Sequence, residues 1–227
     1  TIPHVTNPLG GGVLRLPTSS LFSLGNLLAI VWLVFLMNAL NWFDGSDGLF
    51  GSVATAALLA LAGISLLPAT QDALTLSLSL LGLGSIAAFL LWNWPPAKVY
   101  LGTTGSWFFG LFIGITAITG GGKIATTSLV LALPLIDFFL VAFHRVLSRT
   151  APWQADTERH WHYRLRNAGL TPSYIAALAA GGSLLFAIAA VTLQTQAKLW
   201  LLAVIAVILS ITATSLLTTR ARSRVKR

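Results

Sequence analysis

Apolar residues gather in long blocks along this chain, and short polar stretches separate the blocks. A membrane-crossing helix needs about 20 mostly apolar residues. Seven blocks approach that length: 21–40, 49–67, 74–94, 101–119, 124–143, 173–193 and 199–217. The fourth is the weakest and reaches spanning length only if LGTTGS forms its first turn. Pro68, Pro95-Pro96 and Gly120 to Gly122 punctuate the pattern. The first nineteen residues are not helical in pattern, and Asn7-Pro8 with Gly10 to Gly12 predict a small hairpin. The expectation is an all-α, polytopic membrane protein with about seven transmembrane helices and a short external N-terminal hairpin. It reads as one domain over 1–227, with a loop at 144–172 and a basic tail at 218–227.

Composition strengthens this picture. The chain is 56% hydrophobic and 9% charged, with a mean hydropathy of +0.81. Soluble domains carry about 25% charged residues, so too few charges are present to coat a water-exposed surface. Cysteine is absent, which removes disulfide and thiolate chemistry. The net charge of +8 does not imply nucleic acid, because five of the fourteen cations crowd into the last eight residues, RARSRVKR. Such a tail suits a cytosolic face near anionic lipid. The chain opens on Thr1 without a signal-peptide pattern, and this start reads as a cut inside a longer chain.

The Lys/Arg count in the loops sets an orientation. With the C-terminus inside, Lys98, Arg145, Arg149, Arg159, Arg164, Arg166 and the five tail cations lie inside; only Arg15, Lys123 and Lys198 lie outside. The carboxylates, not used in that choice, then cluster: Asp44, Asp47, Asp156 and Glu158 fall inside, Asp137 sits within the fifth block, and only Asp72 is outside. Trp92, Trp94, Trp153, Trp161 and Trp200 fall near block ends, as interfacial aromatics do.

Three segments carry candidate chemistry. In NALNWFDGSDGL, Asn38, Asn41, Asp44 and Asp47 recur every three residues, so neighbours can share a helix face. Gly45 and Gly48 let the backbone approach a ligand. Two carboxylates and two amides at a membrane surface are costly to bring together. A hard cation such as Mg²⁺, shared with substrate phosphates, would justify them; the alternative is a polar turn capped by Asn and Asp. In LGTTGSWFFG, a Gly-rich start to a helix with Gly105 and Ser106 suits phosphate through free N–H groups and the dipole. Simple capping by Thr103, Thr104 or Ser106 is the alternative. In APWQADTERHWHYRL, His160, His162 and Arg164 could hold a diphosphate or a sugar. A basic loop on anionic lipid is the alternative. Asp137, in LPLIDFFLVAFHR, is an ionisable residue inside a block and so a further candidate. It alone has that placement, which argues against a transporter.

Taken together, these segments resemble the polyprenyl-phosphate N-acetylhexosamine-1-phosphate transferases. NALNWFDGSDGL is similar to that family's NAxNxxDGxDGL signature at Asn38, Ala39, Asn41, Asp44, Gly45, Asp47, Gly48 and Leu49. LPLID resembles a family helix motif, placing its Asp on Asp137, and APWQADTERHWHYRL resembles the SPFxADRxHxHHxL loop at Pro152, Ala155, Asp156, His160, His162 and Leu165. TNPLGG resembles an external hairpin of some members. The resemblance implies attack of a lipid phosphate on the β-phosphate of a UDP-N-acetylhexosamine, assisted by Mg²⁺ or Mn²⁺, at the cytoplasmic membrane. It implies Asp44 as a metal-binding or catalytic carboxylate and Asp47 as its catalytic neighbour. It also implies Asn38, Asn41, Gly105, Ser106, His160, His162 and Arg164 as substrate-binding residues. A homodimer is left open.

The chain departs from that pattern in three places. The family's GDxGS reads Gly102-Thr103-Thr104-Gly105-Ser106, so neutral Thr103 stands where an Asp contacts Mg²⁺. An early DDxxD is absent, and the family has more spans than this chain shows. The His loop carries one extra residue before His160, and Tyr163 replaces a third His. The Thr103 change motivates a second expectation, a catalytically impaired relative that binds lipid phosphate or nucleotide sugar.

Overall fold

The structure, a computed structural model, describes residues 1–6, 12–20, 22–119, 123–148 and 159–225, with side chains described as far as 211. A short antiparallel ribbon opens the chain: β1 (His4–Thr6) pairs with β2 (Val13–Arg15), with Val5 opposite Leu14. The expected hairpin is therefore present, although its turn, Asn7 to Gly11, lies outside the described residues. Helices follow in the expected order: α1 (Leu24–Phe43), α2 (Leu49–Leu66), α3 (Ala73–Asn93) and α4 (Gly102–Ile118). Next come α5 (Ile124–Val130), α6 (Ala132–Leu147), α7 (Trp161–Asn167), α8 (Pro172–Thr192) and α9 (Thr195–Val225).

The expected count of seven spans is not reached on length. Four helices, α1, α2, α3 and α8, are long and apolar enough to cross a membrane, and α5 with α6 makes a fifth only as one broken span bent by 79°. The 17 residues of α4 and the apolar Thr195–Ile211 part of α9 are shorter. Pro134 accounts for the break. It has no N–H to donate to the Val130 carbonyl, and its ring crowds that same carbonyl. The α5 helix accordingly ends at Val130, and α6 restarts on its own bonds, with the Leu135 N–H donating to the Leu131 carbonyl at 3.0 Å.

Small residues explain the centre of the bundle. In α2, Gly51, Ser52, Ala54, Ala56, Ala57, Ala60 and Ala62 are buried together with Phe50, Leu58 and Leu61. Small side chains let helix backbones approach closely where no water drives them together, and α2 packs against α3, α8 and α5. Its hydroxyls stay satisfied within the helix: Ser52 donates to the Gly48 carbonyl and Ser65 to the Leu61 carbonyl. Large apolar residues face outward instead. Val31, Leu81, Leu91, Leu185 and Ile208 are all exposed, the surface expected of a protein whose solvent is lipid.

Candidate active site

At one end of the bundle α1 stops, α2 starts, α3 stops and α4 starts. The chain leaves α1 at Asp44 and turns through Gly45, Ser46 and Asp47. Gly48 begins the next helix at φ +72°, a conformation that costs a glycine nothing. The turn is tied down from α3. The side chain of Asn93, 4% exposed, accepts from the Gly48 N–H at 2.9 Å and donates to the Val99 carbonyl at 2.9 Å. The Ala97 N–H donates to Asp47 Oδ2 at 3.0 Å. These bonds close a cavity of about 270 Å³ lined by Asp44, Asp47, Asn93, Tyr100, Leu101 and Gly102, with the Gly45-Ser46 backbone between.

The two aspartates differ. Asp47 already spends one oxygen on Ala97. Asp44 has no hydrogen-bond partner among the described residues, and burial pushes its pKa up from 3.8 to about 6. Asn41 is anchored from α4, where Ser106 Oγ donates to its Oδ1 at 2.8 Å. Asn38 is not brought to the cavity; its amide donates to the Val34 carbonyl of its own helix at 2.7 Å. The even three-residue spacing thus describes a shared face only as far as α1 continues. At the start of α4, no side chain caps the helix, contrary to the capping alternative, and Leu101 and Gly102 line the cavity. Gly105 is half-buried one turn further in.

The histidine segment packs beside this turn. Asp137 of α6, 6% exposed, accepts from the Trp161 N–H at 2.7 Å and holds His160 Nδ1 at 2.7 Å. That carboxylate sits at the start of α7, where free N–H groups favour negative charge. Trp161 stacks on Phe43 with ring centroids 6.4 Å apart, so it supports the site. Trp42 meets Phe138, His160 and the Arg145 guanidinium, which lies 4.3 Å from its ring. His162 lands against Gly45, where a Cβ would collide with its imidazole. It is 1% exposed, and among the described residues neither ring nitrogen has a partner. Burial, with His160 nearby and against the pull of Asp137, pushes its pKa from 6.5 down to about 4. Arg164 is half-buried on the same short helix. Pro152, Ala155 and Asp156 lie outside the described residues.

Three of the expected segments therefore meet: Asn41 with Ser106, Gly45 with His162, and both aspartates in one cavity. Asn93 and Tyr100 were not anticipated. An amide ending an apolar block just before Trp94-Pro95-Pro96 was the available signal for Asn93. Among the described residues no group of three His, Cys, Asp or Glu side chains could enclose a metal. Mg²⁺ does not require one, since it is held by one or two carboxylates with substrate phosphates and water. An unpartnered Asp44 and the remaining oxygen of Asp47 on one cavity fit that donor set.

Comparison with known proteins identifies the family. The sequence profile of the family described as Glycosyl transferase family 4 matches residues 2–121. The chain belongs to that family. It is 33% identical over 180 residues to a Bacillus subtilis protein named as a probable undecaprenyl-phosphate N-acetylglucosaminyl 1-phosphate transferase, covering 77% of this chain and 49% of that one. It is 31% identical over 80 residues to the undecaprenyl-phosphate alpha-N-acetylglucosaminyl 1-phosphate transferase of Thermotoga maritima, covering 35% of this chain and 27% of that one. The chain thus spans half or less of the length of these relatives.

Two predictions follow from the geometry. Gly45→Ala must displace His162 and is expected to cost about 2 kcal/mol by crowding, read as a lower unfolding midpoint. Second, Asp44 and His162 respond to acid in opposite senses. Asp44 binds its proton more tightly when folded, so acidification from pH 6 to 4 through it stabilises the fold. His162 is held neutral, so acidification from pH 6.5 to 4 through it destabilises. Each effect is on the order of 3 kcal/mol. In EDTA, Asp44→Asn is expected to steepen the fall of the unfolding midpoint between pH 7 and about 4.5, and His162→Gln to flatten it. Parallel pH profiles for all three proteins would contradict both assignments.

Proposed function

We propose that the protein transfers N-acetylhexosamine-1-phosphate from a UDP-sugar to a polyprenyl phosphate such as undecaprenyl phosphate. The products are polyprenyl-diphospho-sugar, for cell-envelope glycan synthesis, and UMP. One oxygen of the lipid phosphate bonds to the β-phosphorus of the donor; the bond from that phosphorus to the UMP oxygen breaks, and UMP leaves. The supporting observation is the meeting of the DG turn, the start of α4 and the His160–His162 segment at one end of a bundle with an apolar exterior. A lipid acceptor explains the exterior, and a diphosphate explains carboxylates beside an uncapped helix start.

Mg²⁺, or Mn²⁺, held by Asp44 and Asp47 would neutralise charge on the diphosphate. Asn41, fixed by Ser106, presents its amide nitrogen for a ribose, uracil or phosphate oxygen. Neutral His162 offers one donor and one acceptor nitrogen to the sugar or diphosphate. His160 is committed to Asp137 and acts by positioning the turn. The site lies at the cytosolic face of the cell membrane on the Lys/Arg count, with the C-terminus on the same side. Membranes carrying the protein should release UMP from UDP-N-acetylglucosamine only with undecaprenyl phosphate and Mg²⁺. Asp44→Asn should lower that rate about 100-fold or more. Release that is independent of the lipid, or unaffected by Asp44→Asn, would contradict the reading.

A second reading, a relative that binds these ligands with impaired turnover, is favoured by one observation. Thr103 is exposed at the first turn of α4, beside a cavity that holds no third carboxylate. Appearance of Mg²⁺-dependent turnover in Thr103→Asp, with an inert wild type, would select it.

A further inference from the structure

The opposite end of the bundle holds a second polar cavity. The 18 residues of α2 lead away from the DG turn, a distance of about 27 Å along a helix. There Lys123 and Lys198 are both buried, at 7% and 5% exposed. They line a cavity of about 320 Å³ together with His4, Thr126, Ser128 and Thr195. Among the described residues no carboxylate lines it. Lys123 is answered by Asp72, whose Oδ2 lies 2.6 Å from its Nζ. Lys198 is not: among the described residues its ammonium donates only to Thr126 Oγ1, at 2.9 Å.

This arrangement is expensive as it stands. Burying a cation without a counter-charge costs several kcal/mol, on the order of what a buried pair recovers. An ammonium has three hydrogens to donate, and one is used. Lys198 also sits in the first turn of α9, where the helix dipole disfavours a positive charge. An anion in the cavity relieves all three: it pairs with Lys198, takes its remaining hydrogens, and accepts from the hydroxyls of Ser128 and Thr195. Ile64, Ile124, Leu199 and Leu202 complete the wall and suit a chain attached to that anion.

We infer that this cavity is a phosphate-binding site at the membrane face opposite the candidate active site. It takes a phosphate group, carried on a lipid or free in solution. Its lining shares no residue with the cavity at the DG turn.

The test uses thermal unfolding of the whole chain in detergent with two probes. Dioleoyl phosphatidic acid is compared with dioleoylglycerol, and inorganic phosphate with chloride at equal ionic strength. A rise in midpoint with phosphatidic acid alone identifies a lipid head group as the source; a rise with both identifies phosphate itself. In either case Lys198→Met should raise the half-saturating concentration at least about tenfold, and Lys198→Arg should preserve it. Ala125→Phe, which fills the cavity and leaves its charges, should abolish the response and answers the question if Lys198→Met lacks a cooperative transition. No rise with either probe, or a response of wild-type size in Lys198→Met or Ala125→Phe, would overturn the inference.

Discussion

One buried carboxylate organises the candidate active site. Asp137 takes the Trp161 N–H and His160 Nδ1 on its two oxygens, and in doing so fixes where α7 begins. From that start, residue spacing alone puts Trp161 on Phe43 and His162 on Gly45. A buried charge is tolerable only when paired and hydrogen-bonded, and here the partners are the very groups that must be positioned. The bend at Leu131, which Pro134 imposes, lies within two turns of Asp137, so the break in the fifth apolar block lies close to the residue that holds the histidine segment.

The remaining contacts divide labour between residues that look alike in sequence. Asp47 binds the 94–100 loop, whereas Asp44 has no hydrogen-bond partner among the described residues. His160 is held by Asp137, whereas among the described residues neither nitrogen of His162 has a partner. Each pair therefore has one member that builds the site and one whose polar atoms have no partner among the described residues. The far end of the bundle repeats the theme with cations: among the described residues Lys123 meets Asp72, and Lys198 meets a hydroxyl alone.

Much of this was legible in the sequence. Apolar blocks of spanning length marked α1 to α4 and α8 closely, because lipid imposes one length and one composition. The DG turn and the histidine segment stood out because polar groups are conspicuous in a chain that is 9% charged. What composition hides was not legible. Pro134 sits in an unbroken apolar run, so hydropathy joined α5 to α6. The pairing of Asn41 with Ser106 spans 65 residues, and nothing local specifies it. Asn38 kept the spacing of the site residues yet turned back on its own helix. The stacking of Trp161 on Phe43 spans more than a hundred residues and is likewise specified by nothing local.

The central claim is that the DG turn and the histidine segment form one binding site. A double-mutant cycle on binding of UDP-N-acetylglucosamine with Mg²⁺ tests it most directly, using wild type, Asp44→Asn, His162→Gln and the double variant. Groups that share a ligand give non-additive losses. The structure predicts a coupling of about 1 kcal/mol or more, with the double variant losing less than the sum of the singles. Losses that add within about 0.3 kcal/mol would place Asp44 and His162 in separate sites and contradict it.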